Sequence, residues 1–305
     1  MKKTLFTAAL LTLCMTASAQ LPGVKIAPKY QKGDTVMYRT TMNMNAAGQD
    51  AGIVAEERYV VTDANADGYT IEQTVVSVKA NEGSSPVARL LTLQQEAMVG
   101  AVAIYNADKD GAITSLRNAD ELKTKVLSSV DAVLNNIYKE RPEAAQMMPK
   151  EVLKSNIAET VTEKQLLKSL KNNSPFALNG KTIMTGSVEN SENNEGLKVR
   201  NLYFLTATDG SKVKVTTTLN MTPEETKQLI IEQVKKLMPE QAEMIEQNID
   251  AVMKSGMVKF DLEQTADYEF APTGWLKTLT TDMKQNTMGQ STTVKSIQEC
   301  IYSNR

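Results

Sequence analysis

From Val258 to Phe270 the chain alternates without a break. Val258, Phe260, Leu262, Gln264, Ala266, Tyr268 and Phe270 stand against Lys259, Asp261, Glu263, Thr265, Asp267 and Glu269. Successive side chains of a strand point to opposite faces, so this segment has one dry face and one wet one. Antiparallel sheets permit that, whereas parallel sheets buried on both faces do not. The same period recurs along the chain. Gly33 to Lys79 reads as three antiparallel strands, with Val36, Tyr38, Thr40, Met42 and Met44 on one face and turns at 46–50 and 63–68. A hairpin follows at 101–106 and 112–117, then strands at 181–189, 197–207 and 212–219, with an Asp209-Gly210 turn signal before the last. After 258–270, further strands run over 275–284 and 292–301, which makes about eleven in all.

Helical periodicity breaks this pattern at defined places. Thr222-Pro223-Glu224-Glu225 supplies an N-cap hydroxyl, a proline at the first helical position and a glutamate at the third. Apolar residues then recur in steps of three and four at Ile230, Val234, Leu237, Met238, Ala242, Ile245, Ile249, Val252 and Met253, until Gly256 stops the pattern near Lys254. Pro239 removes a backbone donor inside this stretch and predicts a kink or a break near Met238 rather than one straight rod. A second stripe, Leu122, Val126, Val130, Val133, Leu134 and Ile137, begins after Asn118, which reads as its cap. A helix start at Ser84-Ser85-Pro86 and short helices between Arg141 and Asn173, broken by Pro142 and Pro149, complete the reading. The fold class expected is α+β: antiparallel, curved meander sheets covered by amphipathic helices. The halves expected are 20–175 and 176–305, with a boundary near Asn173 to Gly180, arranged as two domains or around one core.

Residues 1–19 are read as an export signal. Lys2 and Lys3 precede an apolar run, and Ala17-Ser18-Ala19 is a small-residue cleavage site before Gln20. A lipid anchor at Cys14 would need a small residue where Leu13 stands, so cleavage after Ala19 and a periplasmic or extracellular product are expected. No apolar run reaches the roughly 20 residues that span a bilayer. Losing Lys2 and Lys3 takes the formal charge from −2 to −4, which gives no basic patch for nucleic acid.

Histidine and cysteine narrow the chemistry further. The chain has no histidine, which excludes Ser-His-Asp and Cys-His catalysis, histidine-ligated metals and a histidine base. Cys14 and Cys300 are its two cysteines, so the processed chain has no internal disulfide, and Cys300 reads as a small hydrophobe in the last strand. Asp63 to Gly68 and Asn106 to Gly111 imitate the first half of a calcium loop, but Thr74 and Arg117 stand where its twelfth-position carboxylate belongs. Tight turns use the same residues. The acidic pairs Glu56-Glu57, Glu224-Glu225 and Asp261 with Glu263 fall on positions read as strand exteriors and a helix start, where solvated charge is the default. No cofactor or metal site is expected.

The export signal, the meanders and the sheet-covering helices, with Gly33-Asp34-Thr35 near the start and Thr273-Gly274-Trp275-Leu276 near the end, resemble a family of exported bacterial α+β proteins of unknown function. More distantly the layout is similar to half-barrels of the periplasmic lipoprotein-carrier type, which hold acyl chains. That resemblance implies a non-enzymatic envelope protein with a lipid or other apolar ligand between helix and sheet. The residues expected to face it are Ile230, Val234, Met238, Ile245, Ile249, Met253, Phe260, Leu262, Tyr268 and Trp275. The sixteen methionines suit an adaptable apolar groove and equally suit core packing. The alternatives are an envelope protein-interaction module whose faces pack shut and, third, a carboxylate-dependent hydrolase.

Overall fold

The computed structural model describes residues 23–46, 48–80, 95–140, 142, 149–172, 174–193, 196–237, 242–254, 261–287 and 290–305. Their elements in chain order are β1 (Val24–Lys25), β2 (Thr35–Ala46), β3 (Gln49–Asn65), β4 (Gly68–Ala80), β5 (Val102–Asp108), β6 (Ile113–Leu116), α1 (Ala119–Glu140), α2 (Lys150–Thr160), α3 (Glu163–Lys171), β7 (Thr182–Ile183), β8 (Val188–Glu192), β9 (Lys198–Leu205), β10 (Lys212–Leu219), α4 (Pro223–Leu237), α5 (Ala242–Lys254), β11 (Asp261–Phe270), β12 (Leu276–Thr287) and β13 (Gln290–Ser303). The class is α+β, as expected. Eleven strands form one open, curved antiparallel sheet in the order β6-β5-β4-β3-β2-β13-β12-β11-β10-β9-β8.

That order is two meanders joined at their oldest and newest strands. β2 pairs with β13 from Val36↔Ser303 to Ala46↔Thr292, so the first and last long strands form the middle of the sheet. Alternation decides which face is inner. Val36, Tyr38, Tyr59, Val61 and Ile71 in one half, and Leu262, Ala266, Tyr268 and Phe270 in the other, are buried, while Arg39 meets Glu56 and Glu269 meets Lys212 and Lys277 outside. α1 lays Leu122, Val126, Val130 and Leu134 into the core, which is the stripe read from the sequence.

The sheet curls until its two edge strands are close enough for one short helix to touch both. At the start of α3, Thr162 accepts a hydrogen bond from the N–H of Gln165, an ordinary cap. Glu163 Oε1 accepts from the N–H of Leu116 on β6, 3.1 Å away. One turn on, Lys168 Nζ lies 3.5 Å from Glu192 Oε2 on β8. Below α3 the chain enters the core without regular structure. Ser174 through Asn179 are all buried, and Phe176 packs edge-to-face against Tyr59 and Trp275. The backbone of this plug is satisfied locally and by the N-terminal strap: Ala177 N–H reaches Ser174 O, Asn179 N–H reaches Phe176 O, and Gly180 N–H reaches Ile26 O. The stretch read as a boundary between halves is therefore packed into the core, with Phe176 against Tyr59 and Trp275.

Several sequence expectations take a different form. The pattern over 222–254 is an antiparallel helical hairpin, because α4 and α5 pack on each other and Lys227 Nζ meets Asp250 Oδ1 at 2.9 Å. Pro239 lies outside the described residues, between the two helices. The capping box forms as read: Glu225 N–H donates to Thr222 Oγ1 and Thr222 N–H donates to Glu225 Oε2. The strand expected at 181–189 divides into β7, a turn and β8. Asn118 does not cap α1 with its side chain but extends the sheet, accepting from Ile104 N–H and donating to Val102 O. Both calcium-like loops are turns, and in the second Asp108 Oδ1 accepts from the N–H groups of Asp110 and Ala112. The export signal with Cys14 and Ala19, the helix start at 84–86 and the segment 143–148 lie outside the described residues.

Candidate functional site

Beneath α3 and the plug lies a cavity of about 770 Å³. Its floor is the inner face of β9, β10 and β11, and the hairpin of β5 and β6 supplies Asp108, Asp110, Ala112 and Ile113 as the far wall. Register builds that floor in rows. Tyr203, Val215 and Ala266 lie side by side, and the next row is Asn201, Thr217 and Gln264. The first row is apolar apart from the Tyr203 hydroxyl. The second is a neutral polar ladder, in which Thr217 Oγ1 donates to Asn201 Oδ1 at 2.7 Å and Asn201 Nδ2 donates to Ser191 Oγ at 2.9 Å. Leu167, Leu170, Phe176 and Leu178 close it from above.

The acidic groups of the lining are engaged. Lys181 Nζ reaches Glu189 Oε2 at 2.6 Å and Tyr203 Oη at 3.2 Å, and the Tyr203 hydroxyl also donates to Glu189. Burial raises the Glu189 carboxyl, and the hydrogen bonds from Lys181 and Tyr203 outweigh it, so the group is held below the usual range. Burial and the bond to Glu189 push the Tyr203 phenol well above its ordinary value. Glu189 is thus a fixed carboxylate, a poor general acid. Asp110 pairs with Lys25 at 2.6 Å. On α3, Lys164, Lys168 and Lys171 follow one another at helical spacing along the edge of the cavity. At the inner end, Asn179 donates to Tyr30 Oη and to Gly111 O. Among the described residues, no three His, Cys, Asp or Glu side chains converge as a metal ion would require.

Of the residues expected to face a ligand, those whose side chains are described divide between this cavity and other places. Tyr268 lines it. Trp275 is buried elsewhere, stacked on Tyr30 at 4.1 Å between ring centres. Leu262, Ile230 and Ile249 are buried outside the main core cluster. Val234, Ile245 and Met253 belong to α4 and α5, but their side chains, like Met238 and Phe260 entirely, lie outside the described residues. Sequence reasoning missed the α3 lysines, Lys181 and the Asn201–Thr217 ladder. The only sequence signal near them was the expectation of short helices between Arg141 and Asn173, which did not say which sheet face α3 would cover.

A half-buried polar network lies in the other half, around Glu57. Glu57 was read as an exterior carboxylate, but it shares its strand face with Tyr59 and Val61 and so turns inward. Tyr59 Oη donates to Glu57 Oε2 at 2.8 Å, Gln73 Nε2 donates to Oε1 at 3.0 Å, and Tyr105 Oη donates to Gln73 Oε1 at 3.1 Å. Burial raises the Glu57 carboxyl, only partly offset by these bonds.

No family model matches the chain, and no curated protein does. Two solved structures are distantly similar. One is described by its lipid–protein interactions in lipovitellin, at a TM-score of 0.39 and 8% identity over 90% of this chain. This chain spans about a quarter of that protein's length, 26%. The other is a putative exported protein with a YmcC-like fold from Bacteroides fragilis, at a TM-score of 0.27 and 10% identity, covering 93% of this chain and all of that one.

Proposed function

We propose that this is an exported, non-enzymatic binding protein of the cell envelope that holds an apolar ligand in the cavity under α3. The observation that carries the reading is the cavity itself. Its volume of about 770 Å³ falls within the roughly 300–1,000 Å³ of small-molecule sites, and it has an apolar row, a hydrogen-bonded polar ladder and one edge of lysines. The space is partly open to solvent, and the chain's own side chains leave its apolar floor uncovered, whereas under α1 they fill the core. On this reading the ligand lies under α3 rather than between the 230–253 stripe and the 258–270 strand face, where the sequence led us to expect it.

The test is the binding of Nile red, a neutral apolar dye, followed by its fluorescence. Wild-type protein should bind it saturably, and Ala266→Phe, which fills the middle of the floor, should weaken binding at least tenfold, about 1.4 kcal/mol. Circular dichroism and the melting temperature report whether the variant folds. Undiminished dye binding by a folded Ala266→Phe protein would remove the cavity from consideration.

A further inference from the structure

We infer that the ligand carries an anionic head group, held at the lysine edge of α3 while its hydrocarbon tail lies on the Val215–Ala266 row; the inference rests on the binding reading above and gives it a ligand class. What sets the ligand's polarity is where the unpaired charge of the lining stands. Four acids line it, and each is already satisfied: Glu189 by Lys181 and Tyr203, Glu192 by Lys168, Asp110 by Lys25, and Asp108 by two backbone N–H groups. Of the four lining lysines, Lys168 and Lys181 are used in those pairs. Lys164 and Lys171 have no ion-pair partner among the described residues, though they stand on the same helical face as Lys168. The lining's four acids and four lysines balance in formal charge, but the two ammonium groups without an ion pair among the described residues stand together on α3 at one edge of it.

The position of these two groups matters as much as their sign. Lys164 and Lys171 border the Leu167 and Leu170 stripe that roofs the cavity. Their alkyl stems can lie along a bound tail while the ammonium groups stay at the water boundary. A carboxylate or phosphate there would accept charge-assisted hydrogen bonds. A neutral glycerol or sugar head would leave the two ammonium groups with water alone. The polar ladder runs along the floor rather than at the edge, so it orients a tail-adjacent ester or hydroxyl without supplying a counter-charge.

The experiment displaces bound Nile red with three single-chain lipids below their micelle concentrations: palmitate, lysophosphatidylglycerol and neutral monopalmitoylglycerol. The anions should bind several-fold more tightly than monopalmitoylglycerol. The Lys164→Gln/Lys171→Gln double variant, whose changes are exposed and leave the core untouched, should erase most of that preference, by up to about tenfold. Raising salt should do the same for wild type. A better affinity for palmitate or for lysophosphatidylglycerol distinguishes a free fatty acid from a phospholipid source. Equal binding of anionic and neutral lipids, or an anion preference that survives the double variant, overturns the head-group inference while leaving the cavity reading intact. Failure of all three lipids and of Nile red overturns both.

Discussion

Glu57 shows what a single inward-facing carboxyl does to the pH response of the fold. Its folded pKa is raised above the ordinary 4.5 by burial, so the protonated form suits the folded state better than the ionised one. The stability it contributes is fully present below the unfolded value and is lost as pH rises through the folded one. Glu57→Gln keeps a neutral group of the same shape among Tyr59, Gln73 and Tyr105. It should raise the melting temperature at pH 7.5 and leave it nearly unchanged at pH 4; equal gains at both pH values would show that packing, not ionisation, is responsible. Gly274 offers a steric counterpart. It sits at φ +86°, and a Cβ built there would lie 2.4 Å from Pro28 Cα, whereas Gly48 at φ +77° has nothing within 4 Å. Gly48→Ala should therefore cost only the left-handed penalty of about 1–2 kcal/mol. Gly274→Ala should cost clearly more, because the strap at Pro28 must also move; urea midpoints for the two variants make the comparison.

At the scale of elements, the strongest periodic signals were the most legible. β11 came from strict alternation, α1 from its stripe, and the start of α4 from Thr222 and Glu225. Thr222→Ala should remove that cap and cost about 1 kcal/mol, read as a lower urea midpoint with an unchanged slope. Periodicity could not say that α4 and α5 fold back on each other, since a stripe has the same spacing in a rod and in a hairpin. Nor could it find the cavity under α3. That depends on which two strands end up at the edges of the sheet, a global property, and on a short helix whose amphipathic pattern extends little beyond two turns. Glu57 was misread for a simpler reason: chemistry suggested an exterior residue where parity with Tyr59 placed it inside. The marked segments Gly33-Asp34-Thr35 and Thr273-Gly274-Trp275-Leu276 proved informative about architecture. Both converge on the strap 26–34, where Lys29 N–H donates to Thr273 O and Gly33 N–H donates to Val61 O.

For the whole molecule, that strap is locked by the other end of the chain. Arg305 Nη1 donates to Lys29 O and lies 3.0 Å from Oδ2 of Asp34, a carboxylate only 3% exposed. Asn304 completes the clamp by accepting from Thr35 N–H and donating to Gly33 O. Asp34 is the buried member of a half-exposed pair and also accepts from the N–H of Gln31, so losing the arginine should cost about 1–3 kcal/mol. Arg305→Met should accordingly lower the urea midpoint, and adding Asp34→Asn should restore part of the loss; additive losses in the double variant would contradict the pairing.

The central seam between β2 and β13 also sets a schedule. Thr35 and Asn304 meet across 269 positions, so β2 stands as an open, hydrogen-bonding edge until nearly all of the remaining chain has emerged. Each meander can zip up by itself from neighbouring hairpins, but their union waits for the final strand, the slow, non-local kind of step. During that interval the exposed flank of β2 is a template for any other extended chain, including another unfinished copy. Moving the termini so that β13 is made directly before β2 should turn the last event of assembly into a local hairpin, and refolding at high protein concentration should then lose less material to aggregates.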